Sequence, residues 1–421
     1  MAATVPGSPT QSPVKRLAWL WPAQAFLDDL ILIYPVYAIM MQEAGISGVE
    51  LSGLFIVWSL AALLFEIPSG VIGDRLNRKL YIGFGALVSG SGYLVWLFWP
   101  TLPGFALGFV LWSLGGAIRS GTLEALLFDC LKAQGQAARF SRYYGRGVAA
   151  SGAGVVLAMA LGGLAATEGY TLPLLLSALA PAASSLLIFA IPAFAIPAPD
   201  SKVSTALQEA DPQETGVEAG GLSATFRAAL EDMRGHSGGD RHLLRIATMG
   251  VFLVGVPQVL DEYVGLLLDE TGNLTLAEIG VLYGISAGAF ALGGGLGHRL
   301  DGFSLRQLAV TGGGAHILLA AVLTGSPYLM SLALTIYFLV LGAVSVALTS
   351  ALQHAITSTA RATVMSLMSA GLEAWGVVLY LLIGVLADLL DWHSAVTWIG
   401  LLSVFIGAAF AARTSLNIRN L

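Results

Sequence analysis

Ionisable side chains stand inside several of the long apolar stretches of this 421-residue chain. Such groups are costly in an apolar medium unless they meet a partner or a water-filled space. Asp28 and Asp29 lie together in the first stretch, Arg119 and Glu124 share the fourth, and Asp261 and Glu262 are adjacent in the seventh. A carboxylate in such a place can carry a proton or bind a cationic substrate; it can also be half of a structural pair or a cap. Neighbours on a helix point about 100° apart, so one member of each pair faces a common centre. Arg119 has three readings: it neutralises a buried acid, holds an anionic substrate group, or snorkels to the interface. Asp261 and Glu262, in the outer third of their stretch with Gln258 just before them, are either functional or solvated. Tyr34 and Tyr37 are the aromatics best placed to line a cavity. Glu373 reads as a packing or gating group and Asp388 as a solvated span end. The chain has no Gly-Lys-Ser/Thr phosphate loop, metal-ligand spacing or nucleophile motif, so the expectation is no enzyme, no cofactor, no metal and no nucleic-acid partner.

The elements that position these groups follow from composition. The chain is 56% hydrophobic and 11% charged, with mean hydropathy +0.78. A soluble domain carries about twice that share of charge, so this is an integral membrane protein. Twelve segments approach the ~20 residues a bilayer requires: 17–40, 51–73, 80–99, 103–128, 147–166, 172–195, 243–267, 279–299, 306–325, 328–350, 363–388 and 394–412. The first is too long for a signal-peptide core and reads as a retained helix. The single cysteine, Cys130, leaves no internal disulfide.

With both termini inside, nineteen of the twenty basic residues fall in inner segments, and the twentieth is Arg119. Cytoplasmic loops carry such an excess, which places the protein in the plasma (cytoplasmic) membrane. The expected divisions are an inner tail (1–16), a six-span unit (17–195), a cytoplasmic linker (196–242), a second six-span unit (243–412) and an inner tail (413–421). The linker composition reads as mostly disordered, with helical periodicity from Leu222 to Met233.

The two units repeat. An offset of 227 residues carries Glu43 to Glu270, Gly45 to Gly272, Gly53 to Gly280, Gly70 to Gly297, Asp74 to Asp301 and Lys79 to Arg306. The most ordered copy of the repeated turn is Glu66-Ile-Pro-Ser-Gly70-Val-Ile-Gly-Asp74-Arg75-Leu-Asn-Arg78-Lys79. Gly70 and Asp74 share a helix face. Gly70 permits close backbone approach, and Asp74 suits the positive end of a neighbouring helix.

This turn, Gly70-x-x-x-Asp74-Arg75-x-x-Arg78-Lys79, resembles the loop between helices 2 and 3 of the major facilitator superfamily, with Asn77 where the family usually has Gly. The resemblance implies an all-α membrane protein: two parallel six-helix bundles around a central cavity lined by spans 1, 4, 7 and 10. It implies a monomeric secondary transporter of a small molecule, working by alternating access and driven by protons or uncoupled. A transporter-like receptor is the rival from another class. It further implies that Asp74 docks near Arg361 at the start of span 11, with Glu66 helping to lock that gate. Exporters in this superfamily often carry a Gly-Pro pair in span 5. Here the small face (Gly154, Ala158, Gly162, Gly163) is present and the Gly-Pro pair is absent.

Overall fold

The structure, a computed structural model, describes residues 13–73, 76–191, 242–300, 302–355 and 361–415. Among these residues every regular element is helical. The α-helices are α1 (Pro13–Asp28), α2 (Tyr37–Glu43), α3 (Gly48–Gly73), α4 (Arg78–Phe98), α5 (Leu102–Arg119), α6 (Thr122–Lys132), α7 (Phe140–Ala166) and α8 (Thr171–Ala190) in the first half. The second half holds α9 (His242–Asp261), α10 (Val264–Asp269), α11 (Leu276–Leu296), α12 (Leu305–Ala315), α13 (Pro327–Ala355), α14 (Arg361–Leu389) and α15 (Trp392–Ser415). A 3₁₀ stretch, His316–Thr324, completes the ninth span.

Eleven described helices are long and apolar enough to cross a membrane. The first span is not among them, because it is no continuous helix over 17–40: α1 stops at Asp28 and α2 starts at Tyr37. Pro35 supplies a physical reason, since it offers no N–H and disfavours helix in the residue before it. The irregular stretch is satisfied locally: Tyr34 and Val36 amides donate to the Ile31 and Ile33 carbonyls at 3.2 and 3.1 Å. The Ile33 amide donates to the Ser177 hydroxyl at 2.9 Å. Backbone of this kind survives at membrane depth only where protein or water satisfies it.

The seventh span breaks at the matching place. α9 ends at Asp261 and α10 begins at Val264. The repeat therefore holds in three dimensions: α2 and α10 begin 227 residues apart, as do α4 and α12. The fourth span also divides, at Ser120-Gly121, where Gly121 takes φ +68°, a backbone conformation that glycine reaches without steric cost. Its counterpart α13 runs unbroken for 29 residues.

The halves meet along α3–α14 and α7–α11. Close approach in the second pair rests on glycine: a Cβ on Gly163 would strike the Leu276 carbonyl, and Gly163 faces Gly280. Gly162 packs on the Leu32 carbonyl and Gly154 on the Phe26 carbonyl, so the small face of span 5 also receives the interrupted first span.

Candidate functional site

The site forms where the helices break. In the first half, Asp28 ends α1 and pairs with Arg119, which ends α5. The pair is largely enclosed, with side-chain exposures of 16% and 11%. Ser184 donates to the same Asp28 oxygen at 3.1 Å and receives a hydrogen bond from Gln24 at 3.1 Å. Arg119 also donates to the Gly115 carbonyl at 3.2 Å. Enclosed charges require this kind of full pairing. The Asp28–Arg119 contact fits the first of the three readings of Arg119, neutralisation of a first-span acid. Asp29 turns elsewhere and accepts from the Ser151 hydroxyl of α7. Glu124 lies in the first turn of α6, with one carboxylate oxygen enclosed and unpartnered among the described residues.

Aromatic rings form a wall beside these acids. Tyr34 stacks on Trp112 at 5.6 Å, and Trp112 stacks on Trp58 at 5.3 Å. Tyr93, Trp96 and Phe109 are buried behind them. Asp28, Asp29 and Arg119 are near enough to act electrostatically on the Tyr34 phenol.

In the second half, Asp261 and Glu262 are not solvated; both are partly buried at the break between α9 and α10. Tyr283 donates to the Asp261 carbonyl. Glu262 accepts from the buried Tyr37 hydroxyl, so an acid of span 7 is held by span 1. Further bonds cross between the halves nearby. Ser52 and Tyr263 share a hydrogen bond of 2.7 Å, and Ser59 donates to Glu373. Asp388 is exposed at its span end and also accepts from the Gly48 and Val49 amides at 2.7 and 3.1 Å. It thereby caps α3 from the opposite half.

The cross-half contacts of α3 fall between Gly48 and Ser59, the part of that helix remote from the basic turn. At the basic end Glu66 and Gly70 are exposed, and none of the described residues lies within 4 Å of where a Gly70 Cβ would sit. Among the described residues, no close helix approach is made at Gly70. By contrast Gly297, its repeat partner, packs on Val346. Arg78 pairs with Asp129, and Lys79 donates to the Ile191 carbonyl beyond α8, so both brace the first half internally. Asn77 is extended (φ −64°, ψ 109°), not left-handed; its side chain caps α4 by accepting from the Lys79 and Leu80 amides. Asp74, Arg75, Asp301 and the side chain of Arg361 lie outside the described residues, as does nearly all of the 196–242 linker.

A Major Facilitator Superfamily model matches residues 25–370. The chain belongs to the major facilitator superfamily. Among solved structures, a substituted form of the nucleoside transporter NupG is similar at TM-score 0.76 and 14% identity, over 94% of this chain and 99% of that one. A bacterial homologue of the human lysosomal transporter Spinster, inward-facing and unoccupied, gives 0.68 and 16%, over 98% and 99%. A bacterial homologue of the iron transporter ferroportin, also inward-facing, gives 0.63 and 17%, over 96% and 97%. Two curated relatives match in short stretches. An uncharacterized MFS-type transporter, YxaM of Bacillus subtilis, is 28% identical over 93 residues, 21% of this chain and 23% of its own length. Another, MJ1560 of Methanocaldococcus jannaschii, is 33% identical over 73 residues, 17% and 19% of the two lengths. The matches thus span about a quarter or less of either curated relative. This membership and the transporter neighbours support membrane transport of small molecules by a multi-pass protein.

The sequence singles out both acid pairs, Arg119 and Tyr34, but not Ser184, which meets Asp28, or Ser177, which meets the Ile33 amide, nor Ser151, Trp58 and Trp112. A signal for the first two was present: Ser177 and Ser184 are seven apart, two helical turns on one face of an apolar span.

Proposed function

We propose that the protein is a proton-coupled secondary transporter that moves a small molecule by alternating access, both termini cytoplasmic. The observation that carries the reading is Glu262. It is the acid held across the two halves by Tyr37, at a break in an inner span and at the closed end. Enclosing a carboxylate costs more than enclosing a carboxylic acid. Proton uptake by Glu262 therefore favours closure of the remote end, and opening that end favours proton release. The conformational equilibrium and the proton are linked, as coupling requires. Asp28 is neutralised within its own half by Arg119, so it serves structure, while Asp29 is left to face the substrate. The gate at the basic turn, with Glu66, Gly70, Asp74 and Arg361, belongs to the opposite state, when those ends come together.

The similar structures include a nucleoside transporter, peptide transporters and a homologue of an iron transporter, so the fold names no substrate. The test is purified protein in liposomes with an imposed proton gradient and an internal pH dye. Compound-dependent proton flux in the wild type, absent in a folded Glu262→Gln variant, supports coupling. Labelled compound that equilibrates without any proton movement makes the protein an uncoupled facilitator instead.

A further inference from the structure

We propose that the substrate is an organic cation bearing a flat ring, seated against Tyr34, Trp58 and Trp112 with its charge towards Asp29. This deepens the transporter reading and rests on it. Two features of the same region point this way.

The first is charge. Arg119 is committed to Asp28, while among the described residues the hydrogen-bond partner of Asp29 is the neutral Ser151 hydroxyl. Glu373, from the other half, is likewise met by a neutral group, Ser59, the residue following Trp58. Three carboxylates and one guanidinium leave the region formally anionic, and an enclosed anionic region favours a cation over a neutral or anionic guest.

The second is the aromatic surface. Tyr34, Trp112 and Trp58 are nearly parallel, at 27° and 25° between successive planes, and each retains accessible surface while the rings behind them are buried. Indole faces attract cations and stack flat rings.

The probe is ethidium, a flat permanent cation, with fluorescein as the flat anion and coumarin as the neutral ring, titrated against the full chain in nanodiscs. Ethidium is expected to bind at least about tenfold more tightly than either comparator. Asp29→Asn should remove about tenfold of that affinity, and Trp112→Leu about fivefold, while Trp112→Phe retains most of it because a π-face remains. Each variant is first shown to melt as the wild type does. Absent ethidium binding, equal binding of coumarin or fluorescein, or undiminished binding in both Asp29→Asn and Trp112→Leu would overturn the assignment. In liposomes the two readings fail differently. Proton flux driven by some non-cationic compound only would sink the cation site and leave the transporter. Asp29-dependent ethidium binding with no compound ever moved would do the reverse.

Discussion

The two halves share an architecture and differ in how they treat buried charge. In the first half, the breaks at Asp28 and Ser120 bring an acid and a base together, and Ser184 and Gln24 complete the network. In the second half, the break at Asp261 carries two acids with no matching Arg: α13, the counterpart of the broken fourth span, is continuous, and Glu262 finds its partner across the interface in Tyr37. One acid is satisfied within a rigid unit and the other only when the units meet. A repeat can thus preserve helix geometry while pairing its charges differently, within one half in the first copy and across the halves in the second.

The sharpest way to break this comparison is to remove the internal pair. Arg119→Ala leaves Asp28 enclosed and unpaired, at a cost of about 3–5 kcal/mol. Thermal melting in lipid should drop steeply, and Arg119→Gln with Asp28→Asn should recover most of the loss. A single variant that melts like the wild type would show that the pair does not hold the first half together.

Tyr37→Phe probes the cross-half contact and should cost about 0.5–1.5 kcal/mol of closure, the range for a hydrogen bond between neutral groups, since Glu262 carries its proton in the closed state. It should lengthen the distance between spin labels at Glu168 and Asn273, on opposite halves, without a comparable loss of folded protein. Gly163→Leu should do the same by sterics, because the Leu276 carbonyl occupies the space. Gly70→Leu meets none of the described residues within 4 Å, so it should leave this conformation within about 0.5 kcal/mol and impair only the opposite state.

Removing the cap donated across the interface, Asp388→Ala, should cost about 1 kcal/mol, read as a smaller shift of the same label distance. The smallest effect concerns Asp391, in the turn before α15. Its carboxylate accepts from the Ser394 amide at 2.6 Å and the Ser394 hydroxyl at 2.7 Å. The amide bond is the leading cause holding its pKa below the ordinary carboxylate value. Its contribution is therefore present above the unfolded pKa, about 3.9, and fades as pH falls through the lower folded value. Asp391→Asn should flatten that acid limb of the melting curve.

Much of this was legible in the sequence. Span positions, the 227-residue repeat and the turn at Gly70–Lys79 follow from hydropathy and spacing, which are local properties. The interruptions were less so. Pro35 was a visible breaker, yet hydropathy runs smoothly across it; Gly121 resembles any small residue of a membrane helix until its φ is known. The partners were hardest. That Asp388 caps α3, or that Tyr37 reaches Glu262, depends on how two distant halves meet, and no periodicity records that. Asn77 shows the same limit at short range, since its residue type permits both a left-handed turn and a cap.

The central claim is that the proton on Glu262 sets whether the remote end is closed. Double electron–electron resonance between labels at Glu168 and Asn273, followed across pH in nanodiscs, tests it most directly. The account predicts a wild type that shifts to the short distance as pH falls, and a Glu262→Gln variant that holds the short distance at every pH. A wild type indifferent to pH, or a Glu262→Gln variant that still responds to it, would contradict the claim.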